Sequence, residues 1–329
     1  MHAIAAFAGL PIESHEALVD VELPMPDHGP RDLLIRVEAV SVNPVDVKVR
    51  VARSTPDHPR VLGYDGAGVV EAVGAEVTGF APGDEVWWAG DRSRPGSNAE
   101  YQAVDHRIVA HKPSPWSFAD AAALPLTSLT ALESLRDHLR VDPHAAGTLL
   151  VVGGAGGVGS IAIQLAKRIS ALRVVATAGR EASAEWATAM GADAVVDHRD
   201  LVASVRAAAP DGVHHILSAY TPGNIAAYAE IAVPLAGVVA LDGGFEDTAP
   251  LKPKSMSLHL ESMFARPLFG AADLGRQGEY LAEVAHLAER GLIRTTANEH
   301  LDGFTAANLR EAHRRVESQS MIGKVVVHR

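Results

Sequence analysis

Over the first 110 residues, apolar and polar positions alternate in short runs broken by turn residues. Ile35-Arg36-Val37-Glu38-Ala39-Val40 keeps the two-residue period of a half-buried strand. Residues 68–73, after a glycine cluster, and 84–88, opened by Pro82-Gly83, predict two more strands. Pro24-Met25-Pro26, Asp27-His28-Gly29-Pro30 and Asn43-Pro44 supply the turns, so this part reads as a compact barrel-like β domain. Near residue 117 the pattern changes to Ala-rich helical stretches. Apolar runs at 148–152, 173–177, 194–196, 215–217, 237–241 and 256–260 then alternate with helix-length segments, as in a parallel sheet with crossover helices. In the tail, Leu281, Val284, Ala285, Leu287 and Ala288 fall on one helical face. Residues 323–327 close the chain as a strand with no helix after it, and this strand is expected to return to the N-terminal domain.

The first apolar run of the second part leads directly into Gly153-Gly154-Ala155-Gly156-Gly157-Val158-Gly159-Ser160. Gly154, Gly156 and Gly159 have the G-x-G-x-x-G spacing between a predicted strand and a predicted helix. The first glycine permits a tight turn, the second lets backbone approach a pyrophosphate, and the third lets helix and strand pack closely. Val158, Ile161, Ala162, Leu165, Ala166 and Ile169 give the following helix one apolar stripe. Its N-terminus would present N–H groups and the positive dipole end to phosphates. A Rossmann-type dinucleotide site is therefore expected, with Gly154, Ala155, Gly156, Gly157, Val158 and Gly159 as its phosphate loop. NAD enzymes place an acid at the end of the second strand to hold the ribose 2′-hydroxyl. Here that end reads Thr177-Ala178-Gly179-Arg180. A guanidinium suits a 2′-phosphate by charge and by bidentate geometry, so NADP(H) is expected, with Glu181 as the residue through which NAD(H) would compete.

A formal charge of −11 argues against a nucleic-acid surface, which needs clustered Lys and Arg. The chain has no cysteine, which excludes disulfides, thiolate catalysis and every cysteine-ligated zinc site. The opening residues lack a secretory pattern, and no run of about 18 apolar residues occurs, so a cytoplasmic protein without membrane spans is expected. His214-His215 is not expected to hold a metal, because neighbouring residues of a strand point to opposite faces.

Several further motifs carry a resemblance. Ser41-Val42-Asn43-Pro44-Val45-Asp46, Leu62-Gly63-Tyr64-Asp65-Gly66-Ala67-Gly68, Pro82-Gly83-Asp84-Glu85-Val86, Ala123-Leu124-Pro125-Leu126-Thr127 and Ile322-Gly323-Lys324-Val325-Val326 accompany the glycine loop. Together they resemble the medium-chain dehydrogenase/reductase superfamily, in its quinone-oxidoreductase branch, and especially bacterial members called zinc-type alcohol dehydrogenase-like. The resemblance implies an α/β protein, with a doubly wound Rossmann sheet over 123–266 and a GroES-like β-barrel catalytic domain over 1–122 and 267–329. It also implies a homodimer, and it places Thr127, Ser218, Leu241, Phe264 and Lys324 near the cofactor. His198 stands where related NADPH reductases have a tyrosine near the adenine, and Arg180 and Ser183 stand where they carry Ser and Lys. Zinc-dependent relatives hold their metal with a Cys where this chain has Asn43 and with a His-Glu pair where it has Tyr64-Asp65. The segment matching their cysteine-bearing lobe, 89–98, has none, so no zinc is expected.

Without a metal to stabilise an alkoxide, oxidation of a simple alcohol becomes difficult. A quinone or α,β-unsaturated carbonyl is easier, because charge spreads onto an enolate or hydroquinone oxygen that one hydrogen-bond donor can hold. Asn43 and Tyr64 are the candidate residues of that acceptor site, with Tyr64 the donor. For Asn43 an Asx turn before Pro44 is the competing role, and Asp46 and Asp65 read as structural turn residues. Trp87-Trp88 reads as packing. Two other readings stand beside the reductase: an alcohol dehydrogenase with a metal held by oxygen and nitrogen ligands, and an NADPH-binding sensor or structural protein without turnover.

Overall fold

A computed structural model describes residues 1–52, 58–243 and 247–329. The chain forms two compact units, one of residues 1–126 and 264–329, the other of residues 127–263.

The first unit is built around a long strand, Asp32–Ser41, whose side chains alternate between buried and half-buried from Leu33 to Ala39. Gly66–Val73 pairs antiparallel along one edge of it and Tyr101–Asp105 joins it as well. Glu85–Trp88 and Val109–His111 extend the sheet beyond Gly66–Val73. The glycine cluster has a packing cause: a Cβ on Gly66 would lie 2.5 Å from the Trp88 ring. Both tryptophans are buried, and Trp88 donates its indole N–H to Gln102 at 2.7 Å, which fits packing rather than ligand binding. The closing strand, Lys324–His328, pairs antiparallel with Asp32–Ser41, with Val326 opposite Ser41, so the chain's end does return to this unit. That pairing brings Lys324 beside the segment that follows Ser41. Helix Arg276–Glu289 buries Tyr280, Leu281, Val284, Ala285 and Ala288, while Leu287 is only half-buried.

The second unit is a parallel sheet in the order Ala194–Val196, Arg173–Thr177, Thr148–Val152, Val213–Ser218, Ala232–Ala240, Ser257–Leu260. Strand order reverses beside Thr148–Val152, which has the second strand on one side and the fourth on the other. This is a doubly wound sheet, and ligands bind such sheets at the carboxyl ends beside the reversal. Helix Gly157–Ile169 is more deeply buried than its stripe predicts, since Ile163 and Gln164 are also covered. Helix Glu181–Ala189 packs on it, with the Trp186 indole N–H donating to Ser160 Oγ at 2.8 Å. Among the described residues, no helix is long and apolar enough to cross a membrane.

Candidate active site

The glycine loop emerges from Val152 at the reversal point. Its backbone is pinned to the neighbouring strand: Gly153 N–H donates to Thr177 Oγ1 at 2.9 Å and Gly154 N–H to the Thr177 carbonyl at 3.1 Å. The three glycines meet two kinds of demand. A Cβ at Gly154 would lie 2.7 Å from Ala176 Cβ, and one at Gly159 would lie 2.3 Å from the Gly153 carbonyl, so both are fixed by close packing. A Cβ at Gly156 would meet only the Gly153 carbonyl, at 3.5 Å, leaving its outer side clear for a ligand to approach. Gly156 is the N-cap of helix Gly157–Ile169, and no side chain caps the first turn. The N–H groups of Gly157, Val158 and Gly159 therefore remain for a ligand, on the positive end of the helix dipole. The residues present thus fit the pyrophosphate of a dinucleotide.

Arg180, His198, Ser218 and Leu241 lie at the same carboxyl edge of the sheet. Arg180 is exposed just beyond Thr177, at the N-cap of helix Glu181–Ala189. The exposed His198 ring lies against Gly179, where a Cβ would come within 2.3 Å of it. Ser218 and Leu241 end or follow neighbouring strands and are joined by Leu241 N–H donating to the Ser218 carbonyl at 2.9 Å. The Ser218 hydroxyl is engaged by Tyr228 Oη at 2.7 Å and the Tyr220 N–H at 3.0 Å, so a ligand would find its surroundings rather than its hydroxyl. Thr127 is buried at the start of this unit. Tyr220, which the sequence reading passed over, is half exposed beside Gly153. His214 accepts the Thr148 N–H within the sheet.

In the first unit, Asn43, Asp65 and Lys324 form one buried cluster. The Asp65 carboxylate accepts Ser41 Oγ at 2.7 Å, Asn43 Nδ2 at 2.6 Å and the Leu126 N–H at 2.7 Å. Lys324 Nζ reaches Asp65 Oδ2 at 3.3 Å, the Val42 carbonyl at 3.1 Å and Asn43 Oδ1, which satisfies its three donors. Burial pushes the Asp65 carboxyl up and the Lys324 ammonium down, and each is opposed by the charge of the other. Asp46 accepts the N–H groups of Asn43 at 2.8 Å and Gly63 at 3.0 Å. Burial nevertheless pushes it up to about 7. Asn43 is therefore tied on both sides of its amide, and its side chain holds the cluster together. The neighbouring carboxylate makes the cluster electrostatic; sequence reasoning rated Asp65 as a turn residue, and its only signal was its match to the acidic member of the lost ligand pair.

Tyr64 differs from its neighbours. Its side chain is 1% exposed, yet its hydroxyl has no hydrogen-bond partner among the described residues. The ring packs edge-on against Phe264, with centroids 5.2 Å apart. Burial raises the Tyr64 hydroxyl above its ordinary value, so it stays protonated near neutrality. Arg60 lies near enough to draw it the other way, without reaching the geometry of a hydrogen bond. A buried phenol with an unused O–H is a donor waiting for an acceptor.

A zinc ion does not fit this donor set. Asn43 and Asp65 stand in for ligands but already hold the Lys324 ammonium, and among the described residues no three His, Cys, Asp or Glu side chains converge to bind a metal.

The comparisons agree with both units. Residues 29–114 match the alcohol dehydrogenase GroES-like domain, and residues 157–274 match the zinc-binding dehydrogenase family. The chain is 41% identical over 305 residues to a zinc-type alcohol dehydrogenase-like protein of Staphylococcus aureus (strain MSSA476), covering 90% of each. It is 42% identical over 177 residues to an NADPH-dependent alkenal/one oxidoreductase, chloroplastic, of Arabidopsis thaliana, covering 50% of this chain and 45% of that protein. Among solved structures it is similar to a protein of Rhizobium etli CFN 42 described as a zinc-dependent alcohol dehydrogenase, with a TM-score of 0.96, 44% identity and coverage of 100% and 98%. With its GroES-like domain, its doubly wound dinucleotide-type sheet and these relatives, the chain belongs to the zinc-type alcohol dehydrogenase-like proteins, oxidoreductases of the medium-chain dehydrogenase/reductase superfamily.

Proposed function

We propose that the protein is an NADPH-dependent reductase of quinones or α,β-unsaturated carbonyls that works without zinc. The observation that carries this reading is the Tyr64 hydroxyl, unpartnered among the described residues, beside a cluster in which Asn43 and Asp65, at the lost ligand positions, hold the Lys324 ammonium. The Arabidopsis relative's activity on alkenals and enones supports the same kind of reaction.

The glycine loop 154–159 would hold the pyrophosphate through its N–H groups, with Arg180 on the 2′-phosphate side and His198 beside the adenine. Leu241 and the backbone around Ser218 would border the same edge, with Thr127, Phe264 and Lys324 the remaining candidates. The bound cofactor supplies a hydride to the electrophilic carbon of the acceptor. Tyr64 donates its O–H to the acceptor oxygen, where charge accumulates as that carbon is reduced. Its raised pKa keeps the proton on the phenol, so the residue stabilises the enolate as a donor while water delivers the final proton. Asn43 and Asp65 fix the segment that carries Tyr64. Small-molecule acceptors are thus the expected partners, and two copies are taken to associate; the edge strand Ser257–Leu260, with Leu260 63% exposed, is consistent with that.

Tyr64→Phe tests the assignment. The lost hydroxyl has no partner among the described residues, so the variant is expected to fold as stably as the parent. Its kcat for an enone should fall by about 100-fold, as when a single oxyanion donor is removed, with NADPH affinity unchanged. Parental kcat in the variant would remove Tyr64 from the chemistry.

A further inference from the structure

Two arginines flank Tyr64, and they differ from the other described arginines of residues 1–126. Arg31, Arg36, Arg94 and Arg107 each rest on a carboxylate. Arg60 and Arg92 have no carboxylate partner among the described residues, in a chain of net charge −11. Arg60 donates instead to the Arg92 carbonyl, while its buried Nε has no partner among the described residues. The Arg92 guanidinium sits over the Phe264 ring, 5.5 Å from its centroid, and that ring also packs against Tyr64. Asp91, the adjacent acid, is bound to Ser93 through its N–H at 2.7 Å and its hydroxyl at 2.8 Å. The acid that acts on Tyr64 is Asp46, which is held by two backbone N–H groups.

Two guanidiniums without counter-ions thus converge on an unused buried phenol against an aromatic wall. Neutral acceptors do not need that charge. A guanidinium presents a planar fork matched to a carboxylate, and stacking on Phe264 pre-orders the fork of Arg92. We propose that Arg60 and Arg92 bind a carboxylate carried by the acceptor while Tyr64 takes its carbonyl oxygen, so the preferred substrate class is an anionic enone, a keto-enoate. This rests on the reductase reading for turnover, but the anion site itself can be tested apart from it.

The full chain is offered β-acetylacrylate or its methyl ester with NADPH, and separately titrated with levulinate, the saturated keto acid, by calorimetry. Parent, Arg92→Met and Arg92→Lys are compared. The acid is expected to exceed the ester in kcat/KM by at least about tenfold, with the ratio collapsing in Arg92→Met and partly kept in Arg92→Lys. Levulinate is expected to bind the parent saturably and Arg92→Met at least about tenfold more weakly. Equal use of acid and ester, or no levulinate binding, overturns the anion site. Levulinate binding lost in Arg92→Met, with neither acceptor reduced, upholds the anion site and refutes the reductase reading.

Discussion

Lys324→Met is expected to destabilise the protein by about 3–5 kcal/mol, the cost of removing one partner from a buried ion pair. The methionine retains most of the stem but leaves Asp65 with its uncharged donors Ser41, Asn43 and the Leu126 N–H and no cation. The carboxyl, already raised by burial, then rises further. A carboxyl whose folded pKa lies above its unfolded value stabilises the fold at low pH, and that contribution is lost as pH rises through the unfolded pKa toward the folded one. Urea unfolding should therefore show a larger deficit at pH 8 than at pH 5. Adding Asp65→Asn should recover part of the loss, because a neutral pair leaves no buried charge. An unfolding midpoint equal to the parent's at pH 8 would mean that the pair contributes nothing.

The second large effect is acid destabilisation at His313. This side chain is fully buried in helix Ala306–Glu317, and neither ring nitrogen has a partner among the described residues. Burial, then the charge of Arg50, lowers it to about 3. Arg50 itself is buried and held by Glu317 and the Leu10 carbonyl. A base with a depressed folded pKa binds its proton only in the unfolded state, so stability is complete above the unfolded pKa and falls below it. Between pH 6 and pH 4 the loss approaches about 1.4 kcal/mol per unit. His313→Leu removes this dependence and an unpaired polar ring together, so its unfolding free energy should fall less than the parent's over that range. Parallel pH profiles for the two proteins would show that His313 is protonated in the fold.

The sequence disclosed the second unit more fully than the first. The strand runs at 148–152, 173–177 and 194–196 coincide with the observed strands because a parallel sheet buried on both faces leaves continuous apolar runs. The glycine loop was legible because Gly154 and Gly159 each answer a steric demand that a side chain would violate, while Gly156 keeps one side clear for a ligand. Ile163 and Gln164 were harder, since a helix covered on several sides does not obey a single stripe. In the first unit, Asp65 carries half of a buried ion pair whose other half, Lys324, lies 259 residues away. No local pattern announces such a pairing; it exists because the closing strand lies against Asp32–Ser41. Arg60 and Arg92 were invisible for a related reason, since an arginine without a counter-ion looks like any other until its surroundings are assembled.

The central claim is tested most directly by titrating chelator-treated and untreated protein with NADPH and NADH while following oxidation against a quinone and an enone. Oxidation that prefers NADPH and is unchanged by chelator is predicted, with Arg180→Ala narrowing the preference. Activity lost on chelation and restored by metal would contradict the account, as would NADPH binding without oxidation of either acceptor.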